Sequence, residues 1–331
     1  MRVLLTIVVM AMLMLGCSKK ENLQFGFLFS TKATARYIKE ANYFKERAEQ
    51  LGVKVIIDDG EGDENLQYTK AIEMFDQGID ALVIIAINTN TAAAIIREAH
   101  SRGVKVIAYN RMIKNSEPDF YISGNNESLG KLMVDAVLKK TQTGNVVILG
   151  GDKYDKNAVE LQASIDNAIA PLVKSGDLKI LYKTHIEEWN DINAEYEFEQ
   201  FLSLNGTKPD IIFAGYDGIA DAAIRVLDKH ELMSDVYITG QDAEVRGVKN
   251  IIAGKQLMTA FHPLKETAYK AAEITFELAN GRLPAKNEFV YINNGFADIP
   301  SIKIDSKTVT KNNIDEVLIQ SDFYTREELY D

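Results

Sequence analysis

Ala81-Leu82-Val83-Ile84-Ile85 is an unbroken apolar run, bounded by helix-like periods over 64–78 and 90–102. A strand with no polar face needs cover on both sides, which is the signature of a parallel sheet flanked by helices. The same alternation continues outward in both directions. Strand-like runs are Leu23–Phe29, Val53–Ile57, Val104–Tyr109, Val146–Leu149, Ile180–Lys183, Ile211–Ala214, Val236–Thr239 and Leu257–Phe261. Helix-like periods fill 35–51, 128–140, 157–173, 193–204, 218–230, 244–253 and 264–280. Alternation of this length predicts two α/β units with parallel sheets.

Open parallel sheets bind ligands beyond the carboxyl ends of their strands, so the residues that follow each strand matter most. Here they are polar and aromatic: 30–37, Tyr109-Asn110-Arg111, 150–157, Trp189, Tyr216-Asp217, Gln241-Asp242 and Phe261-His262. Hydrogen-bonding side chains beside flat apolar ones suit a polyhydroxylated ligand, with donors and acceptors around its rim and an aromatic against its C–H faces.

At the amino end, Arg2 precedes an almost wholly apolar stretch from Val3 to Leu15, closed by Gly16-Cys17 and then Ser18-Lys19-Lys20. That stretch is too short to span a bilayer, which takes about 20 apolar residues, and reads as a secretory signal. Cys17 is the only cysteine and stands where a bacterial lipoprotein carries its acyl chains. Residues 1–16 are therefore expected to be removed, with 17–22 a tether between the lipid and the fold. The alternative is an uncleaved anchor with an incidental cysteine. A net charge of −11 without a Lys/Arg cluster disfavours nucleic acid as a partner. Hydrophobic content of 46% with 26% charged residues is that of a soluble globular chain able to build two cores.

Several motifs admit a bland explanation beside a functional one. Arg111 either pairs with a nearby acid or lays its rigid fork of donors across adjacent ring oxygens. In Gly240-Gln241-Asp242-Ala243, which follows a strand and opens a helix, Asp242 either caps that helix or accepts from a hydroxyl, and the roles are compatible. Trp189, the single tryptophan, sits in the polar stretch Glu187-Glu188-Trp189-Asn190-Asp191, which favours a ligand-facing role over a core one. Gly150-Gly151-Asp152 lacks the Lys-Ser/Thr of a phosphate loop, and no GxGxxG opens the first βα turn. The histidines His100, His185, His230 and His262 show no metal-ligand spacing. No nucleophile with an adjacent base is legible, so neither a cofactor nor catalysis is expected.

Four segments carry a resemblance: Tyr109-Asn110-Arg111-Met112-Ile113, Asp119-Phe120-Tyr121-Ile122-Ser123, Gly240-Gln241-Asp242-Ala243 and Lys311-Asn312-Asn313-Ile314. Through them, and from about Gly26 to Phe323, the chain resembles the xylose binders of the type I periplasmic sugar-binding family of bacterial ABC import systems. The resemblance implies two Rossmann-like lobes joined by a three-stranded hinge, one made of 23–124 plus 262–292 and the other of 125–261 plus 293–331. It places crossings near 123–126, 260–263 and 290–294. It also implies ligand-binding positions at Arg36, Tyr37, Asn110, Arg111, Asp155, Asn157, Trp189, Tyr216, Asp242 and His262. Six of these keep the residue type of a xylose binder. Tyr37 stands for a tryptophan, Asn110 for an aspartate, Tyr216 for an asparagine and His262 for a lysine.

The implied function is that of a monomeric, lipid-anchored, extracytoplasmic binding protein. It holds a monosaccharide, D-xylose or a related pentose or hexose, and delivers it to a permease and its ATPase. A sensor presenting the closed form to a chemoreceptor or kinase would use the same surface. A sugar-responsive repressor would need an N-terminal helix-turn-helix in place of the signal.

Overall fold

The computed structural model describes residues 22–33 and 35–331. The signal 1–16 and Cys17 lie outside the described residues. Among these residues no helix is long and apolar enough to cross a membrane.

The chain begins with β1 (Gln24–Phe29), α1 (Ala35–Gln50), β2 (Lys54–Asp59), α2 (Glu64–Asp76), β3 (Ala81–Ile84), α3 (Ala93–Ser101), β4 (Lys105–Tyr109) and β5 (Phe120–Gly124). It continues through α4 (Asn126–Leu138), β6 (Gly144–Gly150), α5 (Lys156–Ser175), β7 (Leu178–His185), a 3₁₀ turn at Glu187–Trp189, α6 (Asp191–Asn205) and β8 (Ile211–Ala214). Then come α7 (Asp217–Lys229), β9 (Tyr237–Gln241), α8 (Val245–Ile252), β10 (Met258–Phe261) and α9 (Leu264–Ala279). The final elements are β11 (Val290–Asn293), β12 (Asp298–Ile304), β13 (Lys307–Val309), a π-helical turn at Asp315–Ile319 and α10 (Arg326–Tyr330).

Two compact units result. One comprises the described residues up to Ser123 plus Leu264–Ile302, the other Gly124–Pro263 plus Lys303–Asp331. The first is built on a sheet in the order β11-β12-β5-β4-β3-β1-β2, the second on β13-β10-β9-β8-β6-β7. Strands β1 to β5 pair in parallel, as do β6 to β10 among themselves, while β11 on β12 and β13 on β10 are antiparallel.

The quoted run behaves as its composition demands. Ala81, Leu82, Val83 and Ile84 are each 0% exposed, in the interior of the first sheet. Strands β2 and β7, at sheet edges, are buried only in part. Helix starts follow the expected chemistry: Asp63, Asn125, Asp155 and Asn190 each accept from backbone N–H groups of the first turn.

The expected lobe boundaries need two corrections. Residues 293–302, expected in the C-terminal lobe, lie in the first unit, because β12 adds to the first sheet between β11 and β5. The third crossing is therefore at Ile302–Lys303, not near 290–294. His262, expected in the N-terminal lobe, lies in the second unit, where its ring meets Gln241 and Ser306. Strand β5 was legible only as a motif: Asp119 to Ser123 carries no long apolar run, yet Phe120, Tyr121, Ile122 and Ser123 are all buried.

Candidate functional site

In the first unit, Asn110 and Arg111 stand at the tip of β4. Asn110 has φ 62, a left-handed conformation that asparagine tolerates better than most residues. Its N–H donates to Ile122 O at 2.8 Å, and Tyr121 Oη donates to its carbonyl at 3.2 Å. Directly afterwards Met112 and Ile113 enter the core, so the tip is anchored on both sides.

The Arg111 guanidinium reaches across to the tip of β3, where Nη1 lies 3.4 Å from Ala86 O and 3.3 Å from Ile87 O. The segment that carries them is itself held from α2. Buried Gln67 donates to Ile85 O at 3.0 Å and accepts from Ile87 N at 3.0 Å. Arg36, in the first turn of α1, donates to Glu40 at 3.1 Å, and Tyr109 Oη donates to the same carboxylate oxygen at 3.2 Å. Tyr37 is buried.

In the second unit, Asp155, Asn157, Trp189 and Tyr216 form one connected group at the tips of β6, β7 and β8. Asp155 accepts from Asn157 N at 2.9 Å and from the Trp189 indole Nε1 at 3.3 Å. The Asn157 side chain accepts from Asn126 at 2.9 Å. Glu188 and Trp189 both have positive φ, 54 and 56, which turns the indole over the strand tips. Gly151 makes room there, since a Cβ on it would overlap the indole six-membered ring. The Tyr216 ring meets the indole edge-on, with centroids 6.2 Å apart and planes at 82°. Trp189 and Tyr216 pack by one side on the core of this unit while remaining half-buried.

Asp242 and Ala243 are consecutive left-handed residues, φ 85 and 48. A conformation this unfavourable, roughly 1–3 kcal/mol per residue, persists only where neighbours impose it. Here they do. Asp242 N donates to Ala260 O at 2.9 Å, Ala243 N to Thr259 Oγ1 at 3.2 Å, and Glu244 N to Asp217 Oδ2 at 2.9 Å. Asp217 is fully buried and also accepts from Gln256 and Thr259, at 2.8 and 2.9 Å. Burial raises its pKa well above the usual carboxylate range, against the pull of those two donors. Asp242 itself does not cap α8; the N-cap position belongs to Glu244, whose side chain makes no cap bond. His262 Nε2 lies 3.1 Å from Gln241 Oε1 and 3.6 Å from Asp242 Oδ1, with Nδ1 2.9 Å from Ser306 Oγ.

The remaining histidines have structural surroundings. His100 and His230 sit at helix ends, 2.9 Å from Asp119 and from Glu199, and His185 Nδ1 lies 3.1 Å from Gly151 O.

Two contributors were not legible in the sequence. Gln67 is a polar residue buried under the strand tips, indistinguishable by local pattern from an exposed helix position. Arg246 lies 30 residues from Tyr216, to whose hydroxyl its Nη2 donates at 3.3 Å; only the packing of α7 against α8 brings them together.

Residues 25–283 match the family model described as a periplasmic binding protein domain. The chain is similar to the D-xylose-binding periplasmic protein of Escherichia coli (strain K12), at 35% identity over 99% of this chain and 98% of the relative. It is 28% identical to the multiple sugar-binding periplasmic receptor ChvE of Rhizobium radiobacter, over 92% of this chain and 91% of that one. Among solved structures, a carbohydrate transporter solute-binding protein from Chloroflexus aurantiacus in complex with D-glucose shares the fold. Its TM-score is 0.82 at 24% identity, covering 93% of this chain and 98% of the other.

Proposed function

The chain belongs to the periplasmic binding protein family, and from that premise we propose that it captures a monosaccharide, D-xylose or a close relative, for an ABC importer. The observation that carries this reading is the placement of the candidate side chains. In each unit they gather at the carboxyl ends of parallel strands, charged and amide groups beside aromatic rings, with Asn110, Trp189 and Asp242 held in left-handed backbone. The similarity of nearly the whole chain to a D-xylose-binding periplasmic protein supports the choice of sugar.

In this reading Arg36, Tyr37, Asn110 and Arg111 of one lobe and Asp155, Asn157, Trp189, Tyr216, Asp242 and His262 of the other hold one sugar. Contacts to both lobes at once favour a closed form, and the three chain crossings act as its hinge. A permease would then recognise the closed shape, and this chain performs no chemistry. Charge-assisted hydrogen bonds of ~1.5–3 kcal/mol and neutral ones of ~0.5–1.5 kcal/mol suffice for micromolar binding. Cys17 carries the lipid that tethers the mature protein, as a monomer, outside the cytoplasmic membrane. A receptor role, closed form presented to a sensor, is favoured only by the relative described as a receptor.

Calorimetric titration of the purified protein with D-xylose, D-glucose, D-ribose and myo-inositol tests the reading. One sugar binding with micromolar or tighter affinity supports it, and the absence of binding to all four removes it. Release of the protein from membranes by Cys17→Ser tests the anchor.

A further inference from the structure

The Tyr216 side chain is constrained by residues outside the candidate site. Its hydroxyl is turned back over its own helix: a Cβ on Gly218 would overlap both the Tyr216 hydroxyl and Arg246 Nη2, so the space is open only because residue 218 is glycine. The Arg246 guanidinium lies 5.5 Å from the ring centroid and donates to the hydroxyl at 3.3 Å. Two carboxylates fix that guanidinium in turn, Asp191 on Nη1 and Glu244 on Nε, both at 2.7 Å. Asp191 opens α6, directly after the Trp189 turn, and Glu244 closes the strained Asp242-Ala243 turn. The clamp thus joins the segments that present Trp189, Tyr216 and Asp242.

We propose that Arg246 is a specificity-determining positioning residue, which with Asp191 and Glu244 pins the Tyr216 phenol so that a ligand meets its ring and not its hydroxyl. This rests on the sugar-binding reading and deepens it. A sugar position facing Tyr216 is then read by shape. A hydrophobic wall discriminates weakly against an added or missing hydroxyl, whereas a hydrogen-bonding one discriminates strongly. Burial pushes the Tyr216 hydroxyl up to about 12, even though the neighbouring guanidinium opposes the rise. Arg246 keeps its charge despite its own burial because Glu244 and Asp191 stand against it.

The test is a set of titrations followed by Trp189 fluorescence, with D-xylose and D-glucose as probes, on the wild type, Tyr216→Phe, Tyr216→Ala, Arg246→Met and Arg246→Lys. Circular dichroism melts confirm that each variant is folded. Tyr216→Ala should weaken binding at least ten times more than Tyr216→Phe does, because the ring and not the hydroxyl is used. Arg246→Met should change the ratio of the two affinities at least tenfold, and Arg246→Lys, which keeps the charge, should restore part of that change. If Arg246→Met fails to fold, Gly218→Ala displaces the same phenol and carries the same expectation. Equal losses in Tyr216→Phe and Tyr216→Ala, or a ratio unmoved in Arg246→Met, overturn the proposal. Tyrosine absorbance during alkaline titration separates the two levels. If the wild type takes neither sugar, the specificity role falls with the sugar reading, while the clamp is still tested: the Tyr216 phenol, identified by its loss in Tyr216→Phe, should titrate later in Arg246→Met, where the opposing guanidinium is gone, and an unmoved titration overturns the clamp.

Discussion

The indole Nε1 of Trp189 donates to Asp155 at 3.3 Å, while the other oxygen of that carboxylate accepts from Asn157 N at 2.9 Å as the N-cap of α5. One side chain therefore starts a helix and aims an aromatic ring. Removing it should have two separable effects. Asp155→Ala is expected to lower stability by about 1 kcal/mol through loss of the cap and to shift the emission of Trp189. Asp155→Ser, which can still cap, should recover most of the stability but not the emission. Urea unfolding followed by circular dichroism, with emission spectra of each variant, checks both; a spectrum unmoved in both variants rejects the bond.

Asp119 has a structural part at the start of β5. It accepts from His100 Nε2 at 2.9 Å, Lys105 Nζ at 2.7 Å and Val106 N at 2.8 Å. Burial raises its pKa, but these donors outweigh burial and hold it below the usual carboxylate range. A carboxylate with a lowered folded-state pKa adds stability above its unfolded value, about 3.9, and loses it as the pH falls through the folded one. Asp119→Asn should therefore lower stability by about 1–3 kcal/mol at pH 7. The gap to the wild type should shrink below about pH 4. Urea midpoints at pH 7, 5, 4 and 3 measure it; parallel curves across that range contradict it.

The two α/β units were legible because buried strands such as Ala81–Ile84 must be apolar throughout, and that pattern is local. The edges were not. Strand β11 pairs antiparallel with β12 and is largely exposed, so it shows neither a full apolar run nor strict alternation, and β12 carries Pro300 within it. That is why the third crossing was displaced. The candidate site was legible by position, as residues after strands, but not by geometry. Nothing local in Glu188-Trp189 or Asp242-Ala243 announces consecutive left-handed residues: Glu188 N donates to Asp152, 36 residues away, and the bonds that impose the Asp242-Ala243 turn come from Ala260, Thr259 and Asp217. Gln67 and Arg246 act on Arg111 and Tyr216 across 44 and 30 residues of sequence, respectively, a separation that only the folded topology closes.

Asn110 separates backbone from side chain at the tip of β4. Its φ of 62 disfavours an ordinary side chain by roughly 1–2 kcal/mol. Asn110→Ala should thus be destabilised by about 1 kcal/mol relative to Asn110→Gly, which carries no Cβ. Both variants lose the amide and should bind sugar more weakly than the wild type, while Asn110→Asp retains an acceptor and tolerance of the turn. Thermal melts paired with calorimetry distinguish the effects. If the alanine and glycine variants melt alike, the left-handed turn does not set the choice of residue here.

Arg111 and Asp242 test whether both lobes act on one ligand. The Arg111 fork is oriented by Ala86 O and Ile87 O, and the backbone that carries Asp242 by Ala260 O, so the guanidinium and the Asp242 turn are in place before any ligand arrives and the ordering cost on binding is reduced. Each should therefore contribute most of a charge-assisted hydrogen bond, and Arg111→Ala and Asp242→Ala should each weaken sugar binding at least tenfold, as about 1.4 kcal/mol is a factor of ten. Because alanine at φ 85 adds strain of its own, Asp242→Asn is the better-matched control. Asparagine tolerates the turn but lacks the charge, so its loss of affinity reports the carboxylate. If one sugar is held by both lobes as proposed, it should compact the wild type in small-angle scattering and fail to compact either variant at the same concentration. Unchanged calorimetric affinity in both alanine variants would remove the strand-tip site from both lobes together.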